Sequence, residues 1–282
     1  MSVSITKLQL RLSALLAALF FAGCATEPLT NEHYVKGTPQ PDRWQKVLAA
    51  AKKGQIEEVR DEPEGSPTTV HWIDIQFAPV RKTARAKPNV GPDIFNGSFR
   101  LEAKTSYAKA HKEKTTTIEP LLNKLASDAE MSQQHHELVA KDANHQNHQP
   151  RITEEKRNVT LKAWLYWVKK QSDNDYHLIL GDTSEFSSGT LFMNAEISGL
   201  PPEHPTQQPF VKLRGTIQQL LSTRENVKGF FVQPALVRIG GSLLWDGEHR
   251  NPHNVGPKKP EDLRPKKAWE IHPIHDFRAA KA

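Results

Sequence analysis

Between residues 158 and 278 the apolar positions fall in short β-branched and aromatic runs separated by turn residues. The longest is Val159-Thr160-Leu161-Lys162-Ala163-Trp164-Leu165-Tyr166-Trp167-Val168, which predicts a strand. Ser172-Asp173-Asn174-Asp175 reads as a turn, and Tyr176-His177-Leu178-Ile179-Leu180-Gly181-Asp182 as the returning strand. Residues 190–197 predict a third strand, ended by Pro201, Pro202 and Pro205. Phe210, Leu213, Ile217, Leu220 and Leu221 then recur at helical spacing, predicting a helix over 209–222. Residues 236–245 read as a fourth strand bent at Gly240 and Gly241, and residues 267–277 as a fifth. The expected class is α+β, with a C-terminal five-stranded OB-like Greek-key barrel carrying a helix between its third and fourth strands.

The preceding region is mixed and partly irregular. Trp44, Val47, Leu48 and Ala51 mark one face of a helix that Asp42 can cap and Gly54 ends. Residues 60–67 read as a loop and residues 69–77 alternate like a strand. Ile118, Leu121, Leu122, Leu125 and Ala129 predict one amphipathic helix over 118–130. The stretch 131–157 is rich in His, Gln and Asn and too poor in apolar residues to favour order, so it reads as a polar linker. The expected divisions are thus 1–23, 24–41, 42–130, 131–157 and 158–278.

At the other end, Lys7 and Arg11 precede the apolar run 15–21, which is followed by Ala22-Gly23-Cys24. A basic segment, a short apolar segment and small residues at a processing point make a signal peptide, shorter than a membrane span. The Phe-Ala-Gly-Cys end resembles the lipobox of bacterial lipoproteins, with Phe21 where Leu is usual. That resemblance implies that Cys24 is acylated, becomes the mature N-terminus and is acylated again, which anchors the chain to a membrane. It further implies export and, with Ala25 after the cysteine, the periplasmic face of the outer membrane in a Gram-negative cell. An ordinary secretory signal with an incidental Cys24 is the alternative. The polar, proline-broken stretch 26–41 suits a tether.

Composition narrows the chemistry. Cys24 is the one cysteine of the 282 residues, so a lipidated chain has no disulfide, thiolate nucleophile or cysteine-ligated metal. The formal charge of +6 falls to about +4 without Lys7 and Arg11, a mild excess rather than a nucleic-acid footprint. Trp164, Tyr166 and Trp167 could stack on bases, but they do not share one strand face, so part of the set belongs to the core. Nucleic acid is accordingly an unexpected partner. No nucleophile elbow, phosphate-cradling glycine loop or His-Glu-x-x-His helix is present.

Residues 150–278 also resemble a group of uncharacterised bacterial exported proteins. The pieces that carry this are Asp173-Asn174-Asp175-Tyr176-His177-Leu178, Glu196-Ile197-Ser198-Gly199-Leu200-Pro201, Trp245-Asp246-Gly247-Glu248-His249 and Trp269-Glu270-Ile271-His272-Pro273-Ile274. The resemblance implies an OB-like module and supplies no catalytic residues.

The candidate chemistry lies with His177, Asp246, His249, Glu270 and His272. Glu270 and His272 are two apart in a strand and share a face; Asp246 and His249 lie where the fourth strand exits. Carboxylates with imidazoles can ligate a divalent metal or pass a proton, as metal-dependent hydrolases require. The plainer reading is a set of hydrogen bonds that pins the loop 246–266 to the sheet. His135, His136, His145 and His148 could separately bind zinc, copper or nickel, or simply belong to a solvated linker. The expected function is a membrane-anchored, non-catalytic binding module meeting an envelope protein or glycan. A metal-dependent hydrolase built on the Asp/His/Glu/His cluster is the alternative.

Overall fold

The computed structural model describes residues 36–54, 57–59, 72–74, 93–97, 99–139, 148–204, 207–247 and 263–280, all within one compact unit, Asn31–Ala282. The leader with Cys24, the loop 60–67, His145 and His249 lie outside the described residues.

The long run at 158 forms β4 (Asn158–Lys170), following the short strands β1 (Glu57–Val59), β2 (Trp72–Asp74) and β3 (Lys112–Thr116). After it come β5 (Tyr176–Gly181), β6 (Phe192–Ile197), β7 (Asn226–Val227), β8 (Phe230–Trp245) and β9 (Trp269–Ala279). β1 and β2 pair with each other, and the other seven strands form a mixed sheet in the order β3-β4-β5-β6-β9-β8-β7. β4 also pairs with β8, so part of the sheet closes on itself in a barrel-like way, while β3 and β7 extend beyond the closure. All pairings in that closure are antiparallel except β6 with β9.

The core-facing residues alternate as a strand demands. Val159, Leu161, Ala163 and Leu165 of β4 meet Leu178 and Leu180 of β5, Met193, Ala195 and Ile197 of β6, and Ile271 and Ile274 of β9. A register irregularity between Leu165 and Trp167 breaks the alternation, so Val168 rather than Trp167 returns to this core. Trp164, Tyr166 and Trp167 therefore all lie outside the main core, yet all are buried. Tyr166 and Trp167 belong to a second, aromatic layer with Phe192 and Phe230.

Helix α1 (Pro41–Lys53) covers that layer. It buries Trp44, Val47, Leu48 and Ala51, and Gly54 ends it in the left-handed region at φ 74°. Gln40, not Asp42, is its N-cap, because Pro41 takes the first helical position and leaves Asp42 in the first turn. The ring of Trp44 meets Tyr166 edge-on at 5.2 Å and stacks on Phe186 at 6.0 Å.

The single helix expected over 118–130 is two, α3 (Ile118–Leu122) and α4 (Asp128–Gln134), after the short α2 (Leu101–Thr105). Ser127 accepts from the Glu130 amide while Glu130 accepts from the Ser127 amide, a reciprocal cap that starts a new helix inside the periodic run. Ala129 is consequently exposed and Met131 is the buried residue of α4. The expected polar linker is thus not a linker throughout. Met131 and Leu138 are fully buried in the same core as Ile118 and the strands.

The helix between β6 and β7 is α5 (Gln208–Thr223), which buries Phe210, Leu213, Ile217 and Leu220. A tight turn then starts β8 earlier than residue 236, with Lys228 at φ 51° and Gly229 at φ 87°. A Cβ on Gly229 would run into the Val168 carbonyl oxygen, so glycine is required there by space as well as by φ. Register shifts in β8 fall at Gly240/Gly241 and Gly241/Leu243, where the chain passes close to β9. Among the described residues, no helix is long and apolar enough to cross a membrane.

Candidate functional site

Two cross-strand registers and one spacing within a strand build one polar cluster on the side of the sheet away from the main core. His177 of β5 is registered against Glu196 of β6, Asn194 of β6 against Glu270 of β9, and His272 follows Glu270 by two residues on the same face. Asp175 joins from the turn before β5, where the Gly199 amide donates to its Oδ1 at 2.5 Å.

His272 is the centre of the cluster. Its Nδ1 lies 2.9 Å from Glu270 Oε1 and 3.0 Å from Glu196 Oε2, and its Nε2 lies 3.4 Å from Asp175 Oδ2. The Asn194 amide bridges the two glutamates, donating to Glu196 Oε1 and Glu270 Oε2, each at 2.9 Å. His177 Nε2 sits 3.1 Å from Glu196 Oε1 and is the partly exposed edge of the group.

The cluster is roofed by chain segments that precede β4. Lys104 of α2 pairs with Asp246 at 3.1 Å. Arg151 donates to the carbonyls of Ala103 and Leu243, and to those of Ser106 and His272 at 3.0 Å each. Arg100 forms a two-pronged pair with Glu155, both bonds 2.7 Å, and also donates to the Trp245 carbonyl at 3.2 Å. These bonds fasten 100–106 and 151–155 to the exits of β8 and to β9.

Electrostatics follow from the crowding. Burial raises the Asp175 carboxyl well above the usual range, and Asp173 adds to the effect. Glu270 is raised by burial and then by Glu196. Burial works against charge on His272, but Glu196, Glu270 and Asp175 outweigh it and hold the imidazole up to about 10. Burial also opposes charge on Glu196, yet His177 and His272 hold its carboxyl below the usual range. With no ion bound, the surroundings push His272 toward the imidazolium and Glu196 toward the carboxylate, and push Asp175 and Glu270 in the direction of holding their protons more tightly than a free carboxyl.

Of the residues singled out from the sequence, His177, Glu270 and His272 come together. Asp246 stands beside them, held by Lys104 and close enough for its charge to act on Glu270. His249 is outside the described residues. Sequence reasoning passed over Asp175, Glu196 and Asn194. Asp175 reads as an ordinary turn residue, and Asn194-x-Glu196 reads as the solvated face of a strand. The available signal was two polar residues at alternate positions beside a strand pairing with a Glu-x-His strand.

Among the described residues, the group of His, Cys, Asp and Glu able to share one metal ion is Asp175, Glu196 and His272. The histidine-rich stretch forms no such group among the described residues. His135 lies 3.3 Å from both Glu137 and Glu154 on opposite sides of its ring, while His136 and His148 face solvent.

The chain matches no protein-family model, no curated protein and no solved structure.

Proposed function

We propose that the protein is a lipid-anchored module of the cell envelope that binds a partner and catalyses nothing, built on an OB-like barrel. The observation that carries this reading is the closure of the cluster. The side chains of Asp175 and His272 are 0% exposed, and those of Glu196, Glu270 and Asp246 are 3% exposed. A hydrolase needs its acid, base or metal-bound water at the wall of a pocket that a substrate enters. Here Lys104, Arg151 and the segments that carry them occupy that position.

The OB-like reading rests on the ring of pairings β4-β5-β6-β9-β8, with β6 and β9 parallel and α5 between β6 and the next strands. OB-type barrels receive ligands on the second and third strands and the flanking loops. In this chain all of β6 and all of β5 except His177 are buried, so recognition falls elsewhere.

Among the described residues, Val211 is the exposed large hydrophobic side chain, which leaves an apolar docking patch without support. A basic strip is better supported. Lys109, His111, Lys112, Lys114, Lys124 and Lys156 are exposed along and beside the edge strand β3. The acidic groups among them are engaged, Glu113 with Arg157 at 2.6 Å and Glu119 with Lys36 at 2.9 Å. Such a strip suits an acidic envelope protein or an anionic glycan, and its lysines also guard the strand edge against pairing.

The test is a pull-down from envelope extract with the detergent-solubilised full chain, at about 50 and about 300 mM salt. A partner held at low salt, released at high salt and lost by Lys109→Glu/Lys112→Glu/Lys114→Glu is the expected result. A partner indifferent to the charge reversal removes the strip. Hydrolysis of phosphate, ester or peptide substrates that Glu270→Gln abolishes would end the non-catalytic reading.

A further inference from the structure

The cluster contains two atoms whose arrangement hydrogen bonding does not explain. Asp175 Oδ2 and His272 Nε2 are fully buried, face each other at 3.4 Å and make no hydrogen bond. A direct N–H···O bond would bring them to about 2.7–3.2 Å. Two ligands on one divalent ion, each bonded at about 2.0–2.1 Å with a tetrahedral angle between them, stand about 3.4 Å apart.

We propose that Asp175, Glu196 and His272 form a buried structural site for a divalent transition cation of the zinc or manganese kind. Glu196 supplies the third donor through Oε2, which lies 3.0 Å from His272 Nδ1 in the ion-free cluster and turns from that nitrogen to the ion while Glu270 Oε1 keeps Nδ1; one ligand atom from each of the three residues lies within 4.8 Å of the others. Two carboxylates and an imidazole, with no thiolate, favour a borderline divalent ion over a soft one such as copper(I).

The surroundings hold the donors as outer partners do in metal sites. Asp175 Oδ1 is engaged by the Gly199 amide, Glu196 Oε1 by Asn194, and His272 Nδ1 faces Glu270 Oε1 at 2.9 Å. A carboxylate behind the ring nitrogen that does not bind metal orients the imidazole and raises its basicity. The cation takes the place of the proton on His272 Nε2, and that proton leaves to solvent. It also offsets the charge of carboxylates that share one closed space. With all three donors buried among the described residues, the ion's work is to tie the turn before β5 to β6 and β9. This is a different claim from the binding role of the basic strip, and either can fail without the other.

The histidine-rich stretch could take up metal by itself, so the experiment separates the two sources. The detergent-solubilised full chain is purified without metal-affinity steps, its metal content is measured by mass spectrometry, and its melting is followed after chelation and after adding Zn²⁺ or Mn²⁺ alone. The expected result is about one equivalent of ion and a Tm higher by about 5–10 °C with the ion bound. The quadruple variant His135→Gln, His136→Gln, His145→Gln, His148→Gln should keep both, and Asp175→Asn should lose both. Metal-free wild type with a Tm unmoved by either ion overturns the proposal, as does loss of the ion in the quadruple variant. If Asp175→Asn does not fold, the wild type and the quadruple variant still decide the question.

Discussion

Arg214 shows how much one side chain can organise around the cluster. From α5 it donates to the Asn174 carbonyl at 2.8 Å, the Ser198 carbonyl at 3.2 Å and the Asp93 carboxylate at 2.7 Å, with its guanidinium 4.9 Å from the centre of the Tyr176 ring. It thereby fixes both turns that present Asp175. Asp93 also accepts from Lys170 at 2.9 Å, and Arg214 first and Lys170 next hold its carboxyl below the ordinary 3.8. A depressed carboxyl contributes stability above its unfolded pKa and loses it as pH falls through the lower folded value. Asp93→Asn should therefore lower the urea midpoint at neutral pH, with the gap from wild type closing as the pH drops below about 4 toward 2. A gap of the same size at both ends would show that the ion pairs are not its source. Asp93 is 40% exposed, so the effect is modest. The Arg100–Glu155 pair differs, since both side chains are 0% exposed and the pair is completed by Trp245, whose amide donates to Glu155 Oε1 at 2.9 Å.

Among the elements, α1 carries the clearest energetic burden. Its apolar face was legible because Trp44, Val47, Leu48 and Ala51 keep helical spacing, but nothing local said what that face would meet. It meets the rings that β4 turns away from the core, and the Trp44 indole nitrogen also donates to the Val232 carbonyl at 3.1 Å. Trp44→Ala should cost about 3–5 kcal/mol, seen as a lower urea midpoint together with faster proteolysis within residues 41–53. An unchanged midpoint would mean that α1 adds nothing to the stability of the sheet. The split between α3 and α4 teaches the opposite lesson. Apolar spacing alone joined them, whereas Ser127 and Glu130, three residues apart, carried a start signal that outweighed the periodicity.

At the scale of the molecule, residues ahead of β4 complete the same body rather than a separate one. Ile118, Leu121, Leu125, Met131 and Leu138 share one core with β4, β5, β6, β8 and β9, while residues 100–106 and 151–155 roof the polar cluster. One core joins α3 and α4 to the sheet. The anchor proposed for this body is chemical and separable from its fold. Wild type should take up labelled palmitate in a bacterial host, and Cys24→Ser should not while keeping the melting temperature of the folded unit. Equal labelling of the two would remove the lipoprotein reading.

By itself the sequence determined the elements whose patterns are local. The strands at 158–170, 176–181 and 192–197 and the helix at 208–223 follow from alternation and helical spacing, which depend only on neighbours along the chain. The two-residue spacing likewise put Glu270 and His272 on one face. Which strands meet is not a local property. The registers His177 with Glu196 and Asn194 with Glu270 join segments far apart in the chain, and they are set by the burial of one common core. Tertiary structure also decided what the outward positions mean. Asn194 and Glu196 stand on the strand face that alternation assigns to water, yet both are covered, at 7% and 2% exposed, with Lys104 close enough for its charge to act on Glu196. That covering turns a row of polar side chains into a closed site, where desolvation makes each charge depend on its neighbours.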